Sequence, residues 1–249
     1  MRRSRGSCLV LNFYATRTTV RFGDGPSMKR ARAKSQDDSA WRIVGNSKVV
    51  VAYRDGKEAV DPREWVKHPS DREDEGLITR GVFGPILSTV ILDAARAGMT
   101  WARWERGSAG TLAVFRYRVP KNQSHYSVAF HSLSSGKGDA NPATGYLGEV
   151  AIDPATGTIL RLTVQADLAL DSPILRGDVM VEYGPVEIGG KTYTCPIRSV
   201  SISLNDDRFV DPFTQAPQTN LLNDVTFTDY HQFRAESRIL PGYLPAPKH

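Results

Sequence analysis

Three histidines lie in strand-like stretches of this chain, His125, His131 and His231, and the last is two residues from Asp229. Imidazoles and a carboxylate are the material of a metal site or an acid–base pair, provided the fold brings them into contact. His125 and His131 are six residues apart, which puts them on one face of an unbroken strand. That spacing is no recognised metal motif, and nothing in the sequence fixes His231 and Asp229 beside them. Ser108 stands in Gly107-Ser108-Ala109-Gly110, not in the Gly-x-Ser-x-Gly elbow of a hydrolase. There is no His-Glu-x-x-His, no P-loop and no dinucleotide fingerprint. Glu73 and Glu75 fall in a charge run and read as solvated. Cys8 and Cys195 match no zinc spacing; they read as two thiols, or as one long-range disulfide. The sequence therefore assigns no catalytic residue, metal or cofactor. A metal- or histidine-dependent enzyme stands behind two non-enzymatic readings.

The elements that would position such residues are mainly strands. Two near-identical turns, Asn141-Pro142-Ala143-Thr144-Gly145 and Asp153-Pro154-Ala155-Thr156-Gly157, put Gly at the fifth position. That chemistry suits a type I turn followed by a left-handed Gly. Residues 146–152 and 158–164 then form strands. Residues 173–188 and 191–204 make a further pair around Gly189-Gly190. Earlier, Lys48–Tyr53 and Glu58–Val60 flank Asp55-Gly56, a strong hairpin signal. Residues 9–22 carry apolar residues on odd positions up to Ala15 and on even ones from Thr18, predicting a strand or two with a break near Thr16. Residues 111–119 and 124–131 alternate, the second with Tyr126, Val128 and Phe130 on one face. Residues 220–234 alternate as well, with Val225, Phe227, Asp229, His231 and Phe233 on one side. Asp61-Pro62 opens a short helix.

One segment breaks the β pattern. Val82, Phe83, Ile86, Leu87, Val90, Ile91 and Ala94 follow the spacing of an amphipathic helix over about residues 80–97, stopped by Gly98. Its apolar stripe needs a partner, and the sheet is the one on offer.

Charge is uneven. The net charge is +5, yet residues 1–34 hold nine Lys/Arg against one Asp, so the remainder is slightly acidic. No basic stripe interleaved with aromatics follows, which speaks against a nucleic-acid domain. No apolar run reaches the length of about 18 residues needed for a membrane span. The basic start resembles the n-region of a signal peptide, but Leu9–Ala15 is short and quickly polar.

The order of hairpins, one helix and a long meander resembles the bacterial outer-membrane lipoprotein-carrier (Lol-type) superfamily and its uncharacterised secreted relatives. The echoes are Gly145-Tyr146-Leu147-Gly148-Glu149-Val150-Ala151-Ile152-Asp153 with Thr158–Leu162, and Val181-Glu182-Tyr183-Gly184-Pro185 with Gly189-Gly190-Lys191-Thr192-Tyr193-Thr194-Cys195-Pro196. The resemblance spans roughly residues 41–234 and rests mostly on turn chemistry. It implies an open β-barrel, a strongly curved antiparallel sheet with the helix on its concave side. It implies a periplasmic or other extracytoplasmic location, and with it the expectation of a gene start upstream of Met1. The expected layout is a basic strand and loop over 1–40, one open-barrel domain over 41–240 and an irregular tail over 241–249.

A cavity of that kind holds alkyl chains, each buried CH₂ contributing about 0.8 kcal/mol. The expected lining is Phe83, Ile86, Leu87 and Val90 of the helix with Trp101, Trp104, Phe115, Tyr117, Tyr126 and Phe130. The expected role is non-enzymatic binding of an apolar ligand, a lipid or a lipidated partner. The alternative is a protein–protein or envelope-associated structural role, with those same residues filling a closed core.

Overall fold

The computed structural model describes residues 6–7, 12–24, 41–54, 57–60, 76–77, 85–108, 110–131, 139–140, 143–169, 172, 174–206, 208 and 218–232. The short helix expected from Asp61, the helical turn over 80–84, Cys8, Phe83 and the tail lie outside these residues.

Fourteen strands are described. They are β1 (Gly6–Ser7), β2 (Phe13–Gly23), β3 (Arg42–Arg54), β4 (Lys57–Val60), β5 (Gly76–Leu77), β6 (Met99–Gly107) and β7 (Gly110–Val119), then β8 (Ala129–His131), β9 (Asp139–Ala140), β10 (Gly145–Ile152), β11 (Ile159–Asp167), β12 (Ile174–Ile188), β13 (Lys191–Asp206) and β14 (Gln218–Gln232). Helix α1 (Pro85–Ala97) precedes β6. The main sheet runs β4-β3-β2-β14-β13-β12-β11-β10-β7-β6, with β1 beside β13, and β5, β8 and β9 form a small second sheet. Every pairing along the main path is antiparallel. The sheet is strongly curved but not closed, an open-barrel meander with one described α-helix.

Turn chemistry explains most of the register. Gly189 and Gly190 both have positive φ, 59° and 77°, the primed turn that joins long twisted strands. At the Asp153 turn, Gly157 (φ 70°) donates its N–H to the Asp153 carbonyl at 2.8 Å. The Asp153 carboxylate accepts from the Ala155 N–H and the Thr156 hydroxyl. The first turn differs. Asn141 and Pro142 lie outside the described residues, and Gly145 is not left-handed but opens β10 opposite Asp167. A Cβ there would lie 3.2 Å from the Lys121 nitrogen and 3.3 Å from the Val119 carbonyl oxygen. The glycine serves close approach of two backbones rather than a bulge.

Three other expectations are corrected. β2 runs unbroken through Thr16; the parity change reflects apolar residues on both faces, Phe13 and Ala15 on the core side and Val20 and Phe22 on the other. Residues 124–128 join no ladder and β8 begins at Ala129, although Tyr126 and Val128 are buried as the alternation required. In β14 the register shifts between Thr228 and His231, with Asp229 at φ 52°. This bulge sends Tyr230 into the core beside Phe13 and leaves Asp229 and His231 exposed.

α1 ends as its sequence dictates, with Gly98 at φ 95° donating to the Ala94 carbonyl at 2.9 Å. Ile86, Val90 and Ala94 are spaced by four and bury one stripe in the same cluster as Tyr117, Val119, Tyr146, Val150, Leu162 and Val164. Cross-strand partners share a face, so this cluster defines the concave side of the sheet. The opposite face carries charge. Arg103 spans both carboxylate oxygens of Glu149 at 2.7 and 2.8 Å and reaches Glu105 at 2.9 Å. Arg161 grips Glu105 from β11 at 2.7 and 2.9 Å, and Arg116 adds a bond to Glu149. This clip ties edge strand β6 to β10 and β11.

The Arg161 guanidinium, offset by burial and seconded by Arg103, brings the Glu105 carboxyl from 4.5 to about 2. A depressed carboxylate contributes stability that is whole above pH 4.5 and is lost as pH falls toward about 2. Glu105 is partly exposed, so solvent screening limits the contribution to about 1 kcal/mol. Glu105→Gln is expected to flatten the acid limb of a stability-versus-pH profile in that window and to lower the neutral-to-alkaline limb by about 1 kcal/mol without changing its slope. An unaltered acid limb would show that the clip contributes nothing to folding.

Candidate functional site

Asp93 is the anomaly of helix α1. It lies three residues after Val90 and seven after Ile86, inside the apolar stripe, and is only 1% exposed. A buried carboxylate persists only when its oxygens are satisfied. Asp93 accepts three hydrogen bonds. The His125 backbone N–H reaches Oδ2 at 2.9 Å, the Tyr146 hydroxyl reaches the same oxygen at 2.9 Å, and His125 Nδ1 donates to Oδ1 at 2.6 Å. Burial pushes the Asp93 carboxyl up, but the His125 N–H, the His125 ring and the Tyr146 hydroxyl together outweigh it and hold it below the usual range. Asp93 is therefore ionised at neutral pH, which places the His125 ring proton on Nδ1.

The three bonds come from two residues on different elements, so the carboxylate is a clasp. It joins α1 to the segment after the Lys121–Gln123 3-10 turn and to β10. The His125 side chain is 66% exposed while its carboxylate partner is enclosed. Beneath the clasp, Tyr146 packs against Tyr126 and Tyr117 with ring centroids 5.2 and 5.8 Å away. Burial, with the nearby Asp178 charge, pushes the Tyr126 phenol up to about 12. Burial and the bond to Asp93 move Tyr146 further in the same direction. Tyr117 donates to the Thr163 carbonyl at 2.5 Å across Gly148.

A second feature lies on the same face at the open edge. Trp101 opposes Phe115, and Phe115 opposes Val150 of the core cluster. Trp104 opposes Ala113. Trp101 packs on Trp104 at 4.8 Å and on Phe115 at 5.6 Å, yet the tryptophans are 50% and 60% exposed. Large aromatics left open to water on a core-facing side mark a contact surface more often than a solvated one.

The expected lining residues thus divide. Ile86, Val90, Tyr117 and Tyr126 are buried, with Leu87 packed against them. Trp101, Trp104 and half-buried Phe115 form the open aromatic edge. Phe83 and the Phe130 side chain lie outside the described residues. No family model, curated protein or solved structure matches the chain. The site is accordingly argued from its own geometry.

That geometry separates the histidines. His125 pairs with Asp93, and its ring has no second hydrogen-bond partner among the described residues. His231 stacks on Tyr14 at 5.2 Å, and the His131 side chain is outside the described residues. Among the described residues no group of three or more His, Cys, Asp or Glu is placed to hold a metal ion. An imidazole steadied by a carboxylate is also the arrangement of a general base. No hydroxyl, thiol or second acid meets that ring among the described residues, so the contacts shown are those of a clasp. Asp93 escaped the sequence reading because the helix was judged by its apolar members alone. The signal was an acid three residues after Val90 and one before Ala94, on the buried side of the turn.

Proposed function

We propose that the protein binds an apolar ligand or a lipidated partner on the concave face of its open sheet, with α1 as a plug that moves aside. The observation that carries this reading is the Trp101–Trp104–Phe115 edge, which continues the buried face into solvent. The plug itself is small. Its stripe ends in Ala94, and its deepest polar attachment is the Asp93 clasp. Lifting it would expose the aliphatic and tyrosine surface of β7, β10 and β11. Burying one acyl chain there, at about 0.8 kcal/mol per CH₂, offsets the loss of the helix's own contacts. The sequence resemblance to lipoprotein carriers supports the same reading and an extracytoplasmic role. No helix of the described residues is long and apolar enough to cross a membrane.

The test is a titration with a fluorescent fatty acid. Wild-type protein is expected to take up the probe. The Trp101→Ser/Trp104→Ser double variant is expected to bind about tenfold more weakly while its melting temperature stays nearly constant, because half-exposed side chains contribute little to folding. Wild-type protein that takes up no probe would contradict the reading. Edge strand β6, unpaired on its outer side among the described residues, would then favour the protein–protein alternative.

A further inference from the structure

The concave face is not apolar throughout. Ser199, Ser201, Ser203 and Asn205 alternate along β13, the serines 1% exposed and Asn205 5%. Register sets Ser199 between Val181 and Val225, and Ser201 between Val179 and Asn223. Those valines belong to the concave-face cluster, so the serine side chains stand on that side. Asn223 is tied down; its Oδ1 accepts from Arg21 Nε at 2.9 Å and its amide nitrogen donates to Ser201 Oγ at 3.5 Å. Among the described residues, the Ser199 hydroxyl, the Ser203 hydroxyl and Asn205 Oδ1 have no hydrogen-bond partner. Buried polar side chains are nearly always paired, and an orphan costs free energy. Three orphans in one line on one strand are a row of hydrogen-bonding positions waiting for a partner.

We infer that this row receives the head group of an amphiphilic ligand, and that the head group is uncharged and bears hydroxyls. The inference rests on the reading that the concave face takes an apolar ligand, and it names the class of that ligand. Asn205 Oδ1 accepts only, so its partner must donate. The serine hydroxyls both donate and accept. A polyol head meets all three demands at once, whereas a carboxylate brings no donor to Asn205. The aliphatic and aromatic surface beneath α1, continuous with β11 and β12, takes the alkyl chain.

The experiment displaces N-phenylnaphthylamine from the full chain with 1-decanoylglycerol or with methyl decanoate, which share a chain and differ in hydroxyls. The ratio of the two affinities is measured in wild type and in Ser199→Ala/Ser203→Ala. Removing unpaired hydroxyls leaves no partner stranded, so the variant is expected to melt no lower than wild type. Its preference for the glycerol ester is expected to fall by roughly tenfold, through weaker binding of that ester alone. Asn205→Leu is expected to act in the same direction, and each single serine variant reads the same ratio if the double variant does not fold. An unchanged ratio would overturn the head-group assignment and leave apolar binding intact. Failure of both esters to displace the probe, or of the probe to bind, would overturn both.

Discussion

In the Asp93→Ala variant the amide protons of α1 are expected to exchange faster than those of β10 and β11, and the protein to lose about 3 kcal/mol of stability. The loss comes from what the carboxylate leaves behind. The Tyr146 hydroxyl is buried with its acceptor gone, and the part-buried His125 backbone N–H loses its partner, while the exposed His125 ring finds water. Asp93→Asn keeps the shape but sets an amide NH₂ among converging donors, so it is expected to cost nearly as much. The same carboxylate gives a pH signature. Its pKa lies below the usual value, so its contribution is whole above the unfolded-state pKa and is lost as pH falls through the folded one. The Asn variant lacks that acid-dependent component. If α1 acts as a plug, both variants also take up more of an apolar probe, because the seated state that competes with the ligand is weakened. Hydrogen exchange resolved by segment, with denaturant melts at pH 7 and well below pH 3.8, checks each part. Uniform exchange across helix and sheet would show that Asp93 does not hold α1.

The second large effect falls on Gly148. A Cβ at this position would lie 1.9 Å from the Thr163 carbonyl oxygen and 2.5 Å from the Tyr117 hydroxyl. The tyrosine could swing away, but the carbonyl belongs to β11 and cannot move without opening its ladder with β10. Gly148→Ala is therefore expected to cost about 4 kcal/mol or to prevent folding. Tyr117→Phe removes only the hydroxyl that bonds to Thr163, for about 1 kcal/mol. Combining the two separates the causes. Because the backbone oxygen is the nearer obstacle, Gly148→Ala remains severe in the Tyr117→Phe background. Full recovery there would mean that the tyrosine alone requires the glycine. Chemical denaturation of the single and double variants measures the cycle.

The fold was legible wherever local chemistry decides geometry. Gly189-Gly190, the Asp153 turn and Gly98 each specify a backbone conformation by residue type, and the structure adopts it. The helix was visible because its apolar residues repeat at 3.6, and the strands of the meander because theirs repeat at 2. Long-range constraints were not legible. Gly145 looked like a left-handed turn residue, yet its role is set by a backbone segment of residues 119–121 that passes within 3.3 Å of where a Cβ would stand. The Asp229 bulge inverts the faces of β14 because Tyr230 gains a core position beside Phe13, a reason that strand parity cannot contain. The candidate site shows the same division. Trp101, Trp104 and Phe115 were recognisable as large aromatics, but strand β6, which carries the two tryptophans, was not. Their exposure depends on β6 being the edge of the sheet, which only the pairing order reveals. Asp93 and His125 are 32 residues apart, so the clasp is a product of tertiary packing. The serine row of β13 reads as ordinary strand alternation until its burial is known.

The central claim is that α1 is a plug over a ligand-binding concave face. Hydrogen–deuterium exchange of the full chain, with and without a saturating medium-chain fatty-acid probe, tests it most directly. The account predicts that α1 loses protection when the probe binds, while β10 and β11 keep or gain theirs. Probe binding with α1 protection unchanged, or no probe binding at all, would contradict it.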